Sequence, residues 1–106
     1  MHLERIAITE KQFGTQVENL FSLFGWEFHH VVEQYHYARR TTKGFPDYVA
    51  IKQNDDGTVR LLFIEIKSEK GKLSKNQARW LWLLRKCSET YIWRPSMLEK
   101  LAHVLR

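Results

Sequence analysis

Leu61-Leu62-Phe63-Ile64-Glu65-Ile66-Lys67 is the stretch from which the rest of the chain can be read. Four consecutive apolar residues fit a strand covered on both faces, and so one near the middle of a sheet. Side chains alternate along a strand, which puts Glu65 and Lys67 on one face while Ile66 points into the core. Upstream, Asn54-Asp55-Asp56-Gly57 signals a tight turn and makes Tyr48–Lys52 the partner strand of a hairpin. Asp47 opens that partner strand, directly after Gly44-Phe45-Pro46. A three-residue turn, Asp55-Asp56-Gly57 with Gly57 left-handed, pairs position 54 with 58 and sets Asp47 opposite Glu65. A five-residue turn gives the same register. A four-residue turn shifts it by one and sends the two acids to opposite faces.

The flanking segments supply helices and two further strands. Thr9-x-x-Gln12, Ser74-x-x-Gln77 and Ser96-x-x-Glu99 have the form of capping boxes that start helices. The first helix is expected over Glu10–Phe24, with Phe13, Val17, Leu20, Phe21 and Phe24 on one stripe, and Gly25 stops it. Trp26–Val32 alternates as a strand, and residues 33–45 read as a loop. A second helix is expected over Lys75–Lys86, a strand over Thr90–Arg94 stopped by Pro95, and a final helix carrying Leu98, Leu101, Ala102 and Leu105. The order α-β-β-β-α-β-α packs naturally as an α/β sandwich around a mixed central sheet.

With 106 residues and 12.8 kDa, the chain is the size of one domain, expected to span 1–106. Hydrophobic residues at 43% and charged residues at 27% describe a globular protein rather than a disordered one. The aromatics (Trp 4, Tyr 4, Phe 6) supply enough apolar area to fold without disulfide or structural metal. No apolar run is long enough for a membrane span, and Met1–Arg5 lacks a signal-peptide pattern. The single cysteine, Cys87, fits a reducing, cytoplasmic home and rules out a zinc site built on several thiolates.

The net charge is +5, and its distribution is uneven. Residues 1–45 balance five basic side chains against five acidic ones. The excess concentrates in 67–86, where Lys67, Lys70, Lys72, Lys75, Arg79, Arg85 and Lys86 face Glu69 alone. Such a concentration is an electrostatic footprint for a polyanion. Arg39, Arg40 and Lys43 before Asp47, with Lys70, Lys72 and Lys75 after Lys67, form a phosphate-binding rim around the acidic pair. Tyr35, Tyr37 and Phe45 are interleaved with it and could touch bases or sugars.

Two carboxylates at cross-strand distance with a lysine two residues along make a site for a hard divalent cation and a phosphate. The lysine can hold a water or offset charge on phosphorus oxygens. The competing reading is a plain surface salt bridge between Glu65 and Lys67. Glu10, in line with the apolar stripe of the first helix, either complements the helix dipole or faces the site as a third ligand. Glu18 lies about 100° from Val17 and is expected to face solvent. Gln77 either caps Ser74 or joins the site, and both roles are compatible.

Gly44-Phe45-Pro46-Asp47, then Phe63 through Ser74, then Gln77-x-x-Trp80-Leu81, closely resemble the VRR-NUC (virus-type replication–repair nuclease) domain of the PD-(D/E)XK nuclease superfamily. Thr9-Glu10-Lys11-Gln12-Phe13, Gly25-Trp26 with His30, and Trp93-Arg94-Pro95 extend the resemblance over nearly the whole chain. The resemblance implies an Mg²⁺-dependent endodeoxyribonuclease, with Mn²⁺ able to substitute and no nucleotide cofactor. By the same resemblance Asp47 and Glu65 are metal ligands, with the Ile66 carbonyl and Glu10 as further contacts. Lys67 is then the catalytic lysine and Gln77 the active-site glutamine. Family members of this minimal kind include resolvases of four-way (Holliday) junctions in viral or mobile-element replication and repair. Branched DNA is therefore the expected substrate. Symmetric cutting needs two sites, and hence a homodimer, for which Trp82, projecting away from the core stripe of the second helix, offers apolar surface. A non-catalytic nucleic-acid-binding module on the same fold is the alternative. A protein-interaction domain presenting Trp80 or Trp82 is the third reading.

Overall fold

The computed structural model describes residues 8–32 and 43–106. Its elements are α1 (Glu10–Leu23), β1 (Glu27–His30), β2 (Tyr48–Gln53), β3 (Val59–Ile66), α2 (Lys75–Leu84), β4 (Glu89–Trp93), a 3₁₀ turn at Pro95–Met97, and α3 (Leu98–Leu105). The hairpin turn has three residues. The Asn54 N–H donates to the Thr58 carbonyl at 2.7 Å, and Gly57 between them takes φ +86°. The Asp56 carboxylate accepts from the Thr58 N–H at 2.9 Å and its hydroxyl at 2.6 Å, which closes the turn. Tyr48 consequently pairs with Ile64, and one step further the same register brings Asp47 opposite Glu65.

The sheet order is β1-β2-β3-β4, with antiparallel pairs through β3 and a parallel pair between β3 and β4. The parallel step needs a crossover, and α2 supplies it. On one face Leu62, Ile64 and Ile66 of β3 join Tyr48 and Ala50 of β2, Phe13, Val17 and Phe21 of α1, and Leu101 and Leu105 of α3 in the main core. On the other face Phe45 packs edge-on between Phe63 and Trp80, with ring centroids 5.9 and 5.1 Å away, and Leu81 of α2 is buried. β3 is thus covered on both sides, as its apolar run implies.

The end of the sheet away from Asp47 is held by a polar knot. Arg60 donates to both carboxylate oxygens of Glu89, at 2.9 and 2.7 Å, and to the Val104 carbonyl at 2.8 Å. The Trp26 indole N–H donates to the Leu105 carbonyl at 2.7 Å, and the Arg60 guanidinium lies 5.2 Å from the Trp26 ring. Together these bonds tie α3 to β1, β3 and β4.

The sequence reading departs from the structure at one capping box and at several element ends: α1 stops at Leu23 rather than Phe24, and β4 runs over Glu89–Trp93 rather than Thr90–Arg94. The Thr9 and Ser74 boxes form with both reciprocal bonds, but the Ser96 box does not. Pro95 instead starts a 3₁₀ turn, α3 begins at Leu98 without a side-chain cap, and the Ser96 backbone N–H and hydroxyl go to Glu69. α2 ends at Leu84 rather than Lys86. The 26–32 strand shrinks to four residues, all exposed because β1 is an edge, although Phe28 still packs on Phe21 at 5.0 Å. Within the 33–45 loop, Tyr35, Tyr37, Arg39 and Arg40 lie outside the described residues. Trp82 is half exposed, with the Lys86 ammonium 3.5 Å from its ring centroid. No helix among the described residues is long and apolar enough to cross a membrane.

Gly44 fixes how Asp47 reaches the sheet. It takes φ +87°, and a Cβ there would come within 2.7 Å of the Asn76 carbonyl carbon and 2.8 Å of the Gln77 nitrogen. The Gly44 backbone therefore seats on the first turn of α2. Gly44→Ala is expected to destabilise the fold by about 2 kcal/mol or more, from left-handed strain plus a clash with immobile backbone. Urea denaturation checks it, and a loss below about 0.5 kcal/mol would contradict the close seating.

Candidate active site

Asp47 precedes β2, and its Oδ2 accepts the Ile66 N–H at 2.8 Å while its own carbonyl accepts from Val31 at 2.7 Å. The side chain thereby continues the β2–β3 ladder past its last backbone pair and holds the carboxylate at the sheet end. Within one strand residue, N–H and C=O point to the same edge, so the Ile66 carbonyl opens toward Asp47 as well.

Glu65 is 2% exposed, the one buried charged residue among those described. Its Oε1 accepts from the Gln77 side-chain amide at 3.1 Å and lies 3.9 Å from the Lys67 ammonium. Its Oε2 has no donor among the described residues. Burial first, then the neighbouring Asp47 carboxylate, push the Glu65 carboxyl up to about 8, with Lys67 opposing them and Glu10 adding a smaller upward push. A buried carboxylate with an orphan oxygen beside a second carboxylate is costly to ionise, and its free lone pairs are of the kind a hard cation accepts.

Gln77 resolves the choice between capping and site. Its amide oxygen accepts the Ser74 N–H at 2.9 Å, its backbone N–H donates to the Ser74 hydroxyl at 3.1 Å, and its amide nitrogen holds Glu65. The two ends of one amide do both jobs. Lys67, only 13% exposed along its side chain, shares the Glu65 face.

A cleft of about 370 Å³ opens beside these groups, lined by Glu10, Lys11, Gly14, Thr15 and Glu18 of α1 with His30, Asp47, Tyr48 and Ile66. Glu10 sits at this rim. Among the described residues no three His, Cys, Asp or Glu side chains stand close enough together to hold a metal ion, so Glu10 is not gathered into one shell with Asp47 and Glu65. Glu18, expected in solvent, instead accepts the Tyr48 hydroxyl at 2.6 Å. Burial first, then that bond, drive the Tyr48 phenol far above its ordinary range. Gly14 leaves the room: a Cβ there would sit 3.2 Å from the Tyr48 hydroxyl. His30 stacks on Tyr48 at 4.6 Å between centroids and is exposed on the cleft side. A glycine one turn from a helical acid was the available sign that Glu18 turns inward.

Of the basic rim, Lys43 and Lys75 line a second groove with Gly44, Ser74, Asn76 and Gln77, at the start of α2. Lys70 and Lys72 are exposed on the loop between β3 and α2.

The raised Glu65 carboxyl has a consequence for stability. An acid ordinarily near 4.5 in the unfolded chain and near 8 in the fold favours folding in its protonated form, so stability is full below about 4.5 and is lost as pH rises through about 8. The metal-free protein is expected to melt at progressively lower temperature between about pH 5 and 9. Glu65→Gln, whose amide oxygen can still accept from Gln77, should flatten that slope. Thermal denaturation followed by circular dichroism checks it; a wild-type melting temperature that rises across this range would contradict the buried pair.

The sequence matches the VRR-NUC domain family over residues 7–97. No curated protein matches it. A solved structure described as a VRR-NUC domain shares 20% sequence identity and superposes with a TM-score of 0.66, covering 89% of this chain and 94% of that one. That likeness carries the fold: the same α/β arrangement around a mixed four-stranded sheet. The family match extends across the site itself, from Glu10 through Asp47, Glu65 and Lys67 to Gln77, and on that ground the chain belongs to the VRR-NUC domain family of nucleases.

Proposed function

We propose that the protein is a divalent-metal-dependent endonuclease that hydrolyses phosphodiester bonds of branched DNA. The observation that supports this most is the orphan Oε2 of buried Glu65, set against the Asp47 carboxylate at the end of β3. The donor set is all oxygen, which suits Mg²⁺ and accepts Mn²⁺. Asp47, Glu65 and the Ile66 carbonyl would hold the ion, with Glu10 at the rim as an outer contact. A bound cation there supplies Lewis-acid polarisation of a phosphoryl oxygen and a more acidic water.

The chain's own residues do the rest. Gln77 fixes the rotamer of Glu65 from the α2 side, so the carboxylate does not swing when its partner charge changes. Lys67 projects from the strand beside Glu65 and presents an ammonium to charge that builds on the phosphorus oxygens. Lys43 and Lys75 flank the start of α2, and Lys70 and Lys72 extend the basic surface for the DNA backbone. The buried, paired side chains count against the reading of Glu65 and Lys67 as a surface salt bridge.

Asp47→Ala and Glu65→Ala are expected to abolish Mg²⁺-dependent cleavage while the fold persists. Lys67→Ala should keep metal-linked stabilisation yet lose about 10²-fold or more in kcat, because it serves the transition state rather than the ion. Cleavage of single-stranded, duplex, flap and four-way-junction DNA with and without EDTA reads all three. Binding without cleavage in every metal condition would favour the non-catalytic DNA-binding alternative.

Symmetric cutting of a junction calls for two copies of this site related by a two-fold axis. The half-exposed Trp82, with Leu83 beside it on α2, is the surface we propose for that contact. Sedimentation equilibrium at micromolar concentration should give about twice the 12.8 kDa chain mass, and Trp82→Ala should return it to the monomer. A clean monomer with and without junction DNA would remove the symmetric-resolvase reading and leave the nuclease reading in place.

A further inference from the structure

Lys67 is poorly fixed by the groups it serves. Its ammonium stands 3.9 Å from the nearest Glu65 oxygen, beyond hydrogen-bond distance. A lysine stem is flexible and loses entropy when ordered. Yet the side chain is largely covered. Part of the cover comes from its own loop. A Cβ built on Gly71 would lie 3.5 Å from Lys67 Cδ and 2.8 Å from Ser68 Oγ, so the Gly71 backbone curls back along the lysine stem. The Gly71 N–H donates to the Ser68 carbonyl at 3.1 Å, closing the loop on itself.

Much of what holds this loop is one side chain just past the end of β4. Arg94 Nη1 donates to the carbonyls of Ser68 at 2.7 Å and Gly71 at 2.7 Å, and shares a longer 3.2 Å contact with Glu69. One nitrogen with two hydrogens thus satisfies the two carbonyls at either end of the turn. The residue before it, Trp93, is fully buried, and its carbonyl takes the Lys67 N–H at 3.0 Å. The residue two places after it, Ser96, anchors the Glu69 carboxylate through its backbone N–H at 3.0 Å and its hydroxyl. The Trp93–Ser96 corner therefore grips the loop at its start, its middle and its end.

We infer that Arg94 is a positioning residue for the nuclease reaction: by clamping the Ser68 and Gly71 carbonyls it holds Gly71 against the Lys67 stem and so keeps the ammonium at Glu65. The inference rests on the nuclease reading proposed above and adds a residue that touches neither metal nor substrate to its machinery. Without the clamp the Glu69 and Gly71 carbonyls lose this donor, the Ser68 carbonyl keeps only the Gly71 N–H, the turn loosens, and the lysine samples many rotamers.

The test is a double-mutant cycle on junction cleavage in Mg²⁺, with wild type, Lys67→Ala, Arg94→Ala and the pair. Arg94→Ala alone is expected to lower kcat about tenfold while KM moves less than about threefold. In the Lys67→Ala background the same change should move kcat less than about twofold, because the residue it positions is gone. Amide hydrogen exchange should speed up over residues 68–72 and stay unchanged in β2 and β3. An equal loss of kcat in both backgrounds, or wild-type kcat in Arg94→Ala, would overturn the inference. If Arg94→Ala does not fold, Arg94→Lys keeps a cation near the carbonyls with a shorter reach. It is then expected to lose about threefold in kcat, and an unchanged kcat with faster loop exchange is the overturning result. A wild-type protein that cleaves nothing in Mg²⁺ or Mn²⁺ would instead overturn the nuclease reading on which this one rests.

Discussion

A carboxylate buried at the end of a central strand has to be compensated, and Glu65 imposes that requirement on every element around it. Water cannot reach it, so its two oxygens depend on groups that the fold delivers. Gln77 arrives on α2 and Lys67 on the strand itself, which satisfies one oxygen and partly offsets the charge. The second oxygen is left facing Asp47, another acid. A fold selected for stability alone would place an apolar side chain here, because burying an ionised group without a partner is costly. On the metal-dependent reading proposed above, a cation joining the two carboxylates would supply the missing partner.

Delivering these groups explains the layering. α1 and α3 cover one face of the sheet and carry most of the apolar load, leaving the other face to α2 with Phe45, Phe63, Trp80 and Leu81. The thin second layer lets the first turn of α2 come close to Glu65, and Gly44 lets the 44–47 segment come close to α2. The cleft on the α1 side is built by a different pair. Tyr48 follows Asp47 in sequence and reaches Glu18, so the residue next to the acidic site also sets how α1, with Glu10 two turns earlier, lies across it.

Much of this was legible in the sequence because the constraints were local. Asn54-Asp55-Asp56-Gly57 located the hairpin but left its turn length open between three, four and five residues; with the three-residue turn formed, the register that faces Asp47 with Glu65 follows from strand periodicity alone. The capping boxes at Thr9 and Ser74 were equally local and formed as read. What escaped was set by distant partners. The Ser96 box failed because Glu69, far away in sequence, took its hydroxyl and N–H while Pro95 bent the backbone into a 3₁₀ turn. Glu18 was sent to solvent by helical angle, which says nothing of a tyrosine long enough to reach it. Trp93-Arg94-Pro95 stood out as a motif, but nothing in three residues tells which carbonyls a guanidinium will find.

The knot of Arg60, Glu89, Val104 and Trp26 sits at the opposite end of β3 from Glu65, five residues or roughly 17 Å along the strand. The cohesive knot and the acidic pair are therefore separated along one strand rather than intermingled. Drift in sequence at the Arg60 end shows in melting temperature, whereas on the nuclease reading proposed above drift at the Glu65 end would be felt in turnover. A lineage with this layout can adapt to heat without disturbing the acidic pair. An engineer can likewise reinforce the distal end first, since improvements there do not have to be negotiated against the acidic pair.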